Sequence, residues 1–410
     1  MNIGCVTIYN AREKKSFGGR GYYICESIKK NVDQFDYIGP LKQFKPYSVG
    51  FRGLEFYYNK IRKKLYTRNK DRWLFQYYGR NLTKLVNRLP IDIVFSPTSP
   101  GSQPIAYLET DKPVVIWTDS TFYGVLDFYP EWMHEKLSNK LINDGLKNEE
   151  QALKRSDLII FKSEWAAQTA RDVYGVDPSK LLVVPGGPGF DYDISGSDVK
   201  KWIYHRSRKK CKLVFIGGNW ERKGGAIAYE VVKRLNQNGV DAELIVIGCK
   251  PEIDSRDDHM ITAMGNVDKN NRNGSSRFQR IMREAHFFIM PSRAEAMGIS
   301  NIEANAFGLP AISTDVGGVT SVIRNGVNGK AFHLDDDVDQ YCNFIADHFD
   351  DYDKYRGLAW SSYIEYRKRL NWKVSGRKVV RAMEALLANK QNIRTKRNNN
   401  SELKNYEIMS

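Results

Sequence analysis

Two glutamates, Glu295 and Glu303, lie in one stretch, PSRAEAMGISNIEANAFGLPAISTDVGG (Pro291–Gly318), with seven residues between them. Glu303 falls among Ile299, Ile302, Ala304, Ala306 and Phe307, and a charge in so apolar a helical run needs a partner. A carboxylate accepts two donors at once, so Glu303 suits a vicinal diol such as a ribose. Upstream, FIGGNWERKGG (Phe215–Gly225) puts Arg222 and Lys223 just before a helix start. Cations beside the free N–H groups of a helix N-terminus hold an anion, and each charge-assisted hydrogen bond there contributes about 1.5–3 kcal/mol. Gly298 and Ile299 open a second such helix, and two anion sites facing one cleft suit a diphosphate. A third carboxylate, Asp119, ends the apolar run PVVIWTDS (Pro113–Ser120). It either works at a strand's carboxyl end or caps the next helix.

The elements that must position these residues alternate between strand and helix. HFFIM (His286–Met290) reads as a buried parallel strand, followed by a loop, a helix ending at Gly308 and Pro310, and a short strand Ala311–Ser313. KLVFIGG, AELIVIG and MITAMG give further strands ahead of it, with helices over Gly224–Asn238 and Ser276–Ala285. The first half repeats the pattern. Residues 2–9 form a strand, and KKSFGGRG (Lys14–Gly21) leads into a helix through Lys30. IDIVFS, PVVIWTDS, DLIIFKSEW and LLVVPGG supply the remaining strands. The glycines of the first turn, Gly18 and Gly19, either let backbone N–H groups approach a phosphate or sugar, or simply make a tight turn. No GxGxxG occurs. Between Gly186 and Lys210 the texture turns rich in Gly, Asp and Lys/Arg, which marks a linker. After Gly318 the reading is a helix to Ile323, a tight turn at RNGVNG (Arg324–Gly329), and then basic helices. The architecture expected is two α/β domains with parallel sheets in tandem. Loops at the carboxyl ends of such strands are where open α/β sheets bind ligands.

The chain has 410 residues, 41% of them hydrophobic, which supports two cores rather than one. No apolar run reaches the length of a membrane span, and MNIGCVTIY carries neither a basic nor an apolar leader region. Five scattered cysteines without a CxxC point to a reducing cytoplasm and away from a disulfide scaffold or zinc site. The net charge of +15 is uneven: residues 51–100 hold 11 Lys/Arg against 3 Asp/Glu. Within them, residues 52–88 interleave cations with Phe56, Leu65, Trp73 and Tyr77. This stretch reads either as two surface helices with solvated charges or as an interfacial patch for an anionic membrane or phosphate-bearing acceptor.

The chain resembles the retaining GT-B glycosyltransferases of the "glycosyl transferases group 1" family (carbohydrate-active family four). The resemblance rests on EAMGISNIE (Glu295–Glu303) followed by ANAFGLPAISTDVGG, on WERKGG (Trp220–Gly225), and on SDLIIFKSEWAAQTARDVYG. It extends to about residue 389 and is most specific in the second half. It implies a GT-B fold, two Rossmann-like parallel-sheet domains facing a central cleft. Residues 1–190 would be the acceptor-side domain and 191–370 the nucleotide-sugar-binding domain. Residues 371–389 would cross back to the first domain, and 390–410, polar and poor in apolar residues, would be a disordered tail.

The resemblance also implies roles. Glu303 would bind the donor's ribose and Glu295 its sugar. Gly298 and Ile299 would offer N–H groups, Lys223 with Arg222 would neutralise the diphosphate, Gly18 and Gly19 would approach it from the first domain, and Asn266 and Val267 would border the base. Two positions depart from the family pattern. Gly218 stands where an Arg often precedes the phosphate-loop Lys, and Asp119 stands where a His often ends its strand. The expected reaction is transfer of a sugar from a nucleotide-diphosphate sugar to a hydroxyl of a glycan or lipid-linked acceptor, with retention and with neither metal nor cofactor. The triplets Asp191–Asp193 and Asp337–Asp339 fall in a linker and at a helix start, away from strand ends. The expected location is cytoplasmic, or peripheral on the inner face of a membrane. The alternatives are a GT-B sugar-nucleotide epimerase, which needs catalytic acids and bases not visible here, and a basic nucleic-acid-binding protein, for which no recognition motif is present.

Overall fold

The apolar runs fold into two parallel six-stranded sheets. The structure, a computed structural model, describes residues 1–42 and 45–409; side chains are described for all of these except 17, 18, 45–48 and 393–409. In the first sheet β1 is Asn2–Val6, β2 Gln34–Ile38, β3 Ile93–Pro97, β4 Val114–Thr118, β5 Leu158–Phe161 and β6 Leu181–Val183. Their order is β2-β1-β3-β4-β5-β6. In the second, β7 is Cys211–Ile216, β8 Ala242–Ile247, β9 Ile261–Ala263, β10 Phe287–Met290, β11 Ala311–Thr314 and β12 Gly329–Phe332, in the order β12-β11-β10-β7-β8-β9.

The central strands are mostly apolar because both of their faces are covered. Along β4 successive side chains alternate between two cores. Val114 and Ile116 join Val94, Phe75, Tyr78 and Leu82 on one face. Val115 and Trp117 join Ile3, Phe95, Ile24 and Ile28 on the other. That second core also receives Val379, Val380 and Met383 from the helix Trp372–Met409, which leaves the second domain and packs on the first.

Three segments differ from the sequence reading. β2 (QFDYI) is an edge strand with polar residues on a partly open face, so it lacks the continuous apolar run that marked its neighbours. The segment after Gly318 is a short 3-10 turn, Val319–Ser321, and the turn at 324–329 delivers β12, an edge strand of four residues. The helix starting at Trp372 continues through residues 390–409, because no Gly or Pro follows Gly376 to stop it. The basic stretch 52–88 takes in the end of the helix Lys45–Phe56, the short helical turns Tyr57–Ile61 and Arg68–Lys70, and the helix Arg72–Val86.

Among the described residues no helix is long and apolar enough to cross a membrane. All five cysteines are free.

Candidate active site

Both sheets reverse their winding once. In the second, the chain runs from β7 outward to β9 and then returns to β10 on the other side of β7. Between β7 and β10 the loops leaving the two strands part, opening the crevice where such sheets bind ligands. The loop after β7 carries Arg222 and Lys223, and the loop after β10 carries Glu295.

These loops are locked together. Gly224 adopts φ +75° and its Cα lies against the Pro291 carbonyl; a Cβ there would sit 1.9 Å from that oxygen. The Arg222 carbonyl accepts from the Arg293 N–H at 2.9 Å. Arg222 Nη1 donates to the Ala294 carbonyl at 2.9 Å, and Lys223 Nζ forms an ion pair with Glu295 Oε2. The two cations expected to face an anion are therefore positioned differently. Lys223 is held at the carboxylate, while Arg222 is partly spent on backbone.

The short helix Ile299–Ala306 begins at Gly298, in the left-handed region at φ +84°, with no side-chain cap on its first N–H groups. Glu303 lies one turn in and is 1% exposed. Its Oε1 accepts from the Gly189 N–H at 3.0 Å and pairs with Lys269 Nζ. The linker thus reaches the buried carboxylate directly. Asn266 is exposed in the loop after β9, and Val267 packs half-buried against the second core. Lys269 extends from the same loop.

The first domain contributes a second charged cluster. Asp119 follows β4 and binds Lys162 Nζ at 2.6 Å and the guanidinium of Arg20. Burial by itself would raise the Asp119 carboxyl, but the two cations hold it well below the usual carboxylate range. Arg20 opens the helix Arg20–Lys29 directly after the 3-10 turn Ser16–Gly19, so Gly18 and Gly19 deliver it; Gly19 takes φ +77° to do so. Asp119 does not cap the following helix. Thr121 does, accepting from the Gly124 N–H.

The segment after Asp119 joins the domains. Tyr129 Oη accepts from the Ala296 N–H at 2.8 Å, and the Arg222 guanidinium lies 5.2 Å from its ring centroid. The Glu164 N–H donates to Ser321 Oγ at 2.8 Å.

Lys269, Arg20 and Lys162 were not singled out from sequence. Lys162 carried a signal, a cation closing the apolar run LIIF. Arg20 and Lys269 sit in polar loops where nothing distinguishes them. Among the described residues no three His, Cys, Asp or Glu gather as a metal site. Asp337 of the second Asp triplet caps the helix Val338–Asp350.

The class follows from the architecture: two parallel-sheet domains, each with its switch point toward the cleft, form a GT-B glycosyltransferase fold. Residues 210–351 match the family described as "Glycosyl transferases group 1", and residues 46–188 match "Glycosyltransferase Family 4". The chain belongs to these group 1, family four glycosyltransferases. It is 24% identical over 200 residues to the UDP-Gal:alpha-D-GlcNAc-diphosphoundecaprenol alpha-1,3-galactosyltransferase of Escherichia coli, covering 47% of this chain and 51% of that protein. Against a D-inositol 3-phosphate glycosyltransferase of Rhodococcus erythropolis it is 24% identical, covering 44% of this chain and 43% of the relative. The chain thus matches about half the length of these curated relatives. A glycosyltransferase structure from Rickettsia africae superposes with a TM-score of 0.60 at 14% identity, covering 94% of this chain and 98% of that one. The Anabaena protein HepE in complex with UDP gives a TM-score of 0.60 at 15% identity, covering 94% and 100%.

Proposed function

We propose that the protein moves a sugar from a nucleoside diphosphate sugar to a hydroxyl of a glycan or lipid-linked acceptor, with retention at the anomeric carbon. One observation carries this reading. At the β7/β10 switch point a cation–carboxylate pair, Lys223 with Glu295, stands beside an uncapped helix start. One turn further along that helix lies the buried Glu303. Diphosphate, sugar and ribose each find a matching group there.

In this reading the bond between the anomeric carbon and the diphosphate oxygen breaks as the acceptor oxygen bonds to the same face. The acceptor's proton passes to the departing phosphate oxygen. Lys223 and the N–H groups at Gly298 and Ile299 stabilise the charge that grows on the leaving group, a preorganised electrostatic contribution. These groups supply the neutralisation without a metal ion. Asp119 serves by fixing Arg20 and Lys162 at the acceptor side of the cleft.

A uridine nucleotide is the first donor to try, since the Escherichia coli relative carries UDP-Gal in its name and the Anabaena protein is described with UDP. The test is a panel of UDP-, GDP- and ADP-sugars read by calorimetry and by slow donor hydrolysis in EDTA. Absence of binding to every donor would sink the proposal, and loss of turnover in EDTA would remove the metal-free part. Proton NMR of the product's anomeric signal decides retention.

We also place the protein in the cytoplasm, on the inner face of a membrane. The basic stretch leaves Phe56 62%, Ile61 60% and Trp73 68% exposed among its cations. Apolar side chains amid Lys and Arg fit an anionic interface, where each cation contributes about 1 kcal/mol. Flotation with anionic but not zwitterionic liposomes is expected, and equal behaviour with both would contradict it.

A further inference from the structure

Asp119 is one carboxylate facing two cations. Its Oδ1 pairs with Lys162 Nζ at 2.6 Å, and its Oδ2 accepts from Arg20 Nη1. Two positive charges against one leave this cluster with a positive charge over. Burial pulls the Lys162 ammonium down, and Asp119 opposes that pull. Lys162 is 1% exposed, too deep to touch a ligand. The Arg20 side chain keeps 41% of its exposure, so the surplus charge is presented to the cleft through Arg20. Without Lys162 behind it, Asp119 would cancel the charge of the side chain that it orients.

The cluster is docked against the loop that carries Glu295. Ser163, next to Lys162, lies on Gly318: a Cβ there would sit 2.5 Å from Ser163 Cβ and 1.9 Å from the Ala296 carbonyl oxygen. The Gly318 N–H donates to the Glu295 carbonyl at 3.1 Å. Tyr129, further along the loop from Asp119, accepts from the Ala296 N–H at 2.8 Å. The ends of β4 and β5 thus abut the backbone of Glu295 and Ala296.

On the donor side the cations are already engaged. Lys223 pairs with Glu295 and Lys269 with Glu303, and Arg222 Nη1 donates to the Ala294 carbonyl. A diphosphate arriving there needs a charge that no carboxylate has cancelled. Arg20 also opens the helix Arg20–Lys29, whose first turn has neither a side-chain cap nor an acidic residue. The cation and the helix start can therefore serve one anion together.

We propose that Arg20 is a further catalytic residue, whose guanidinium binds the sugar-bearing phosphate of the donor and stabilises its charge as the sugar leaves. This rests on the transferase reading above. Arg20 stands on the acceptor side of the cleft and reaches across to the phosphate. It stays protonated throughout and transfers no proton. Its planar fork suits two phosphate oxygens. Asp119 and Lys162 are positioning residues: the first aims the fork, and the second preserves its charge.

The test is calorimetry on the full chain, comparing UDP, GDP and ADP with UMP, GMP and AMP. For the base that binds, Arg20→Gln is expected to weaken the diphosphate about tenfold or more and to leave the monophosphate as in the wild type. Arg20→Lys, which keeps the charge and loses the fork, should fall between. Lys162→Met is expected to weaken the diphosphate without touching it, because Asp119 then cancels Arg20. That variant decides the matter if Arg20→Gln does not fold. Slow hydrolysis of the matching nucleotide sugar should fall in parallel. Unchanged diphosphate affinity in Arg20→Gln overturns the proposal. So does equal weakening of monophosphate and diphosphate, which would mark a structural effect. A wild-type protein that binds no nucleoside diphosphate removes the transferase reading and this proposal with it. Wild-type binding that is indifferent to Arg20 overturns this proposal alone.

Discussion

Lys269 Nζ and the Gly189 N–H converge on the same oxygen of Glu303, Oε1, and among the described residues nothing donates to its second oxygen. Removing Lys269 leaves a carboxylate that is 1% exposed with half of its compensation gone. Lys269→Ala is expected to lower the stability of the unliganded protein by about 1–2 kcal/mol, at the modest end because the Lys269 side chain keeps 26% of its exposure. A ribose diol can supply the missing donors, so nucleoside diphosphate should raise the melting temperature of this variant more than that of the wild type. Equal shifts in the two would remove Glu303 from the ribose.

Lys223 and Glu303 should separate by what they cost. Lys223→Ala is expected to lower turnover by about 10²–10³, the usual loss on deleting one preorganised charge stabiliser. Glu303→Ala is expected to weaken nucleotide binding about 10- to 100-fold, the worth of a charged hydrogen-bond pair. Calorimetry alongside steady-state kinetics distinguishes the two patterns, and unchanged kinetics in both variants would contradict the site.

Asp119 holds together two cations, one of them the buried Lys162. Asp119→Asn leaves that ammonium unpaired and is expected to cost about 3–5 kcal/mol in a urea melt. The double variant Asp119→Leu with Lys162→Met, which removes both charges, should recover most of it. A single variant as stable as wild type would show that the pair contributes little.

His286 is buried, with Nδ1 accepting the Lys212 N–H at 3.0 Å and Nε2 donating to the Ser207 carbonyl at 2.7 Å. Burial first, and then the neighbouring Arg206, push it from 6.5 down to about 3. The unfolded chain therefore takes up a proton near 6.5 that the folded protein refuses until about 3. Its contribution is complete above 6.5 and is lost as pH falls, at up to about 1.4 kcal/mol per pH unit. Thermal melts between pH 7.5 and 5 should show that slope, flattened in His286→Asn. An unchanged slope in the variant would assign the effect to other groups.

The strands that sequence shows clearly are those buried on both faces, such as Val114–Thr118 and Phe287–Met290, because their apolar runs are uninterrupted. The edge strands Gln34–Ile38 and Gly329–Phe332 escape, since a strand paired on one side only and partly open to solvent needs no such run. The unusual settings of Glu303 and Lys223 are legible in the same way. A carboxylate inside an apolar helix and a cation before a helix start conflict with their local setting, and that conflict lies in the chain itself.

What the chain alone determined was which residues carry charge where burial makes charge expensive, and the strand–helix rhythm that turns two stretches into two parallel sheets. Which charges meet was decided only by tertiary structure. Lys269 beside Glu303, and Arg20 and Lys162 around Asp119, each depend on loops from different strands arriving at one edge. A polar loop's own sequence does not encode its partner, because the pairing free energy appears only when the sheets are wound and water is excluded between them.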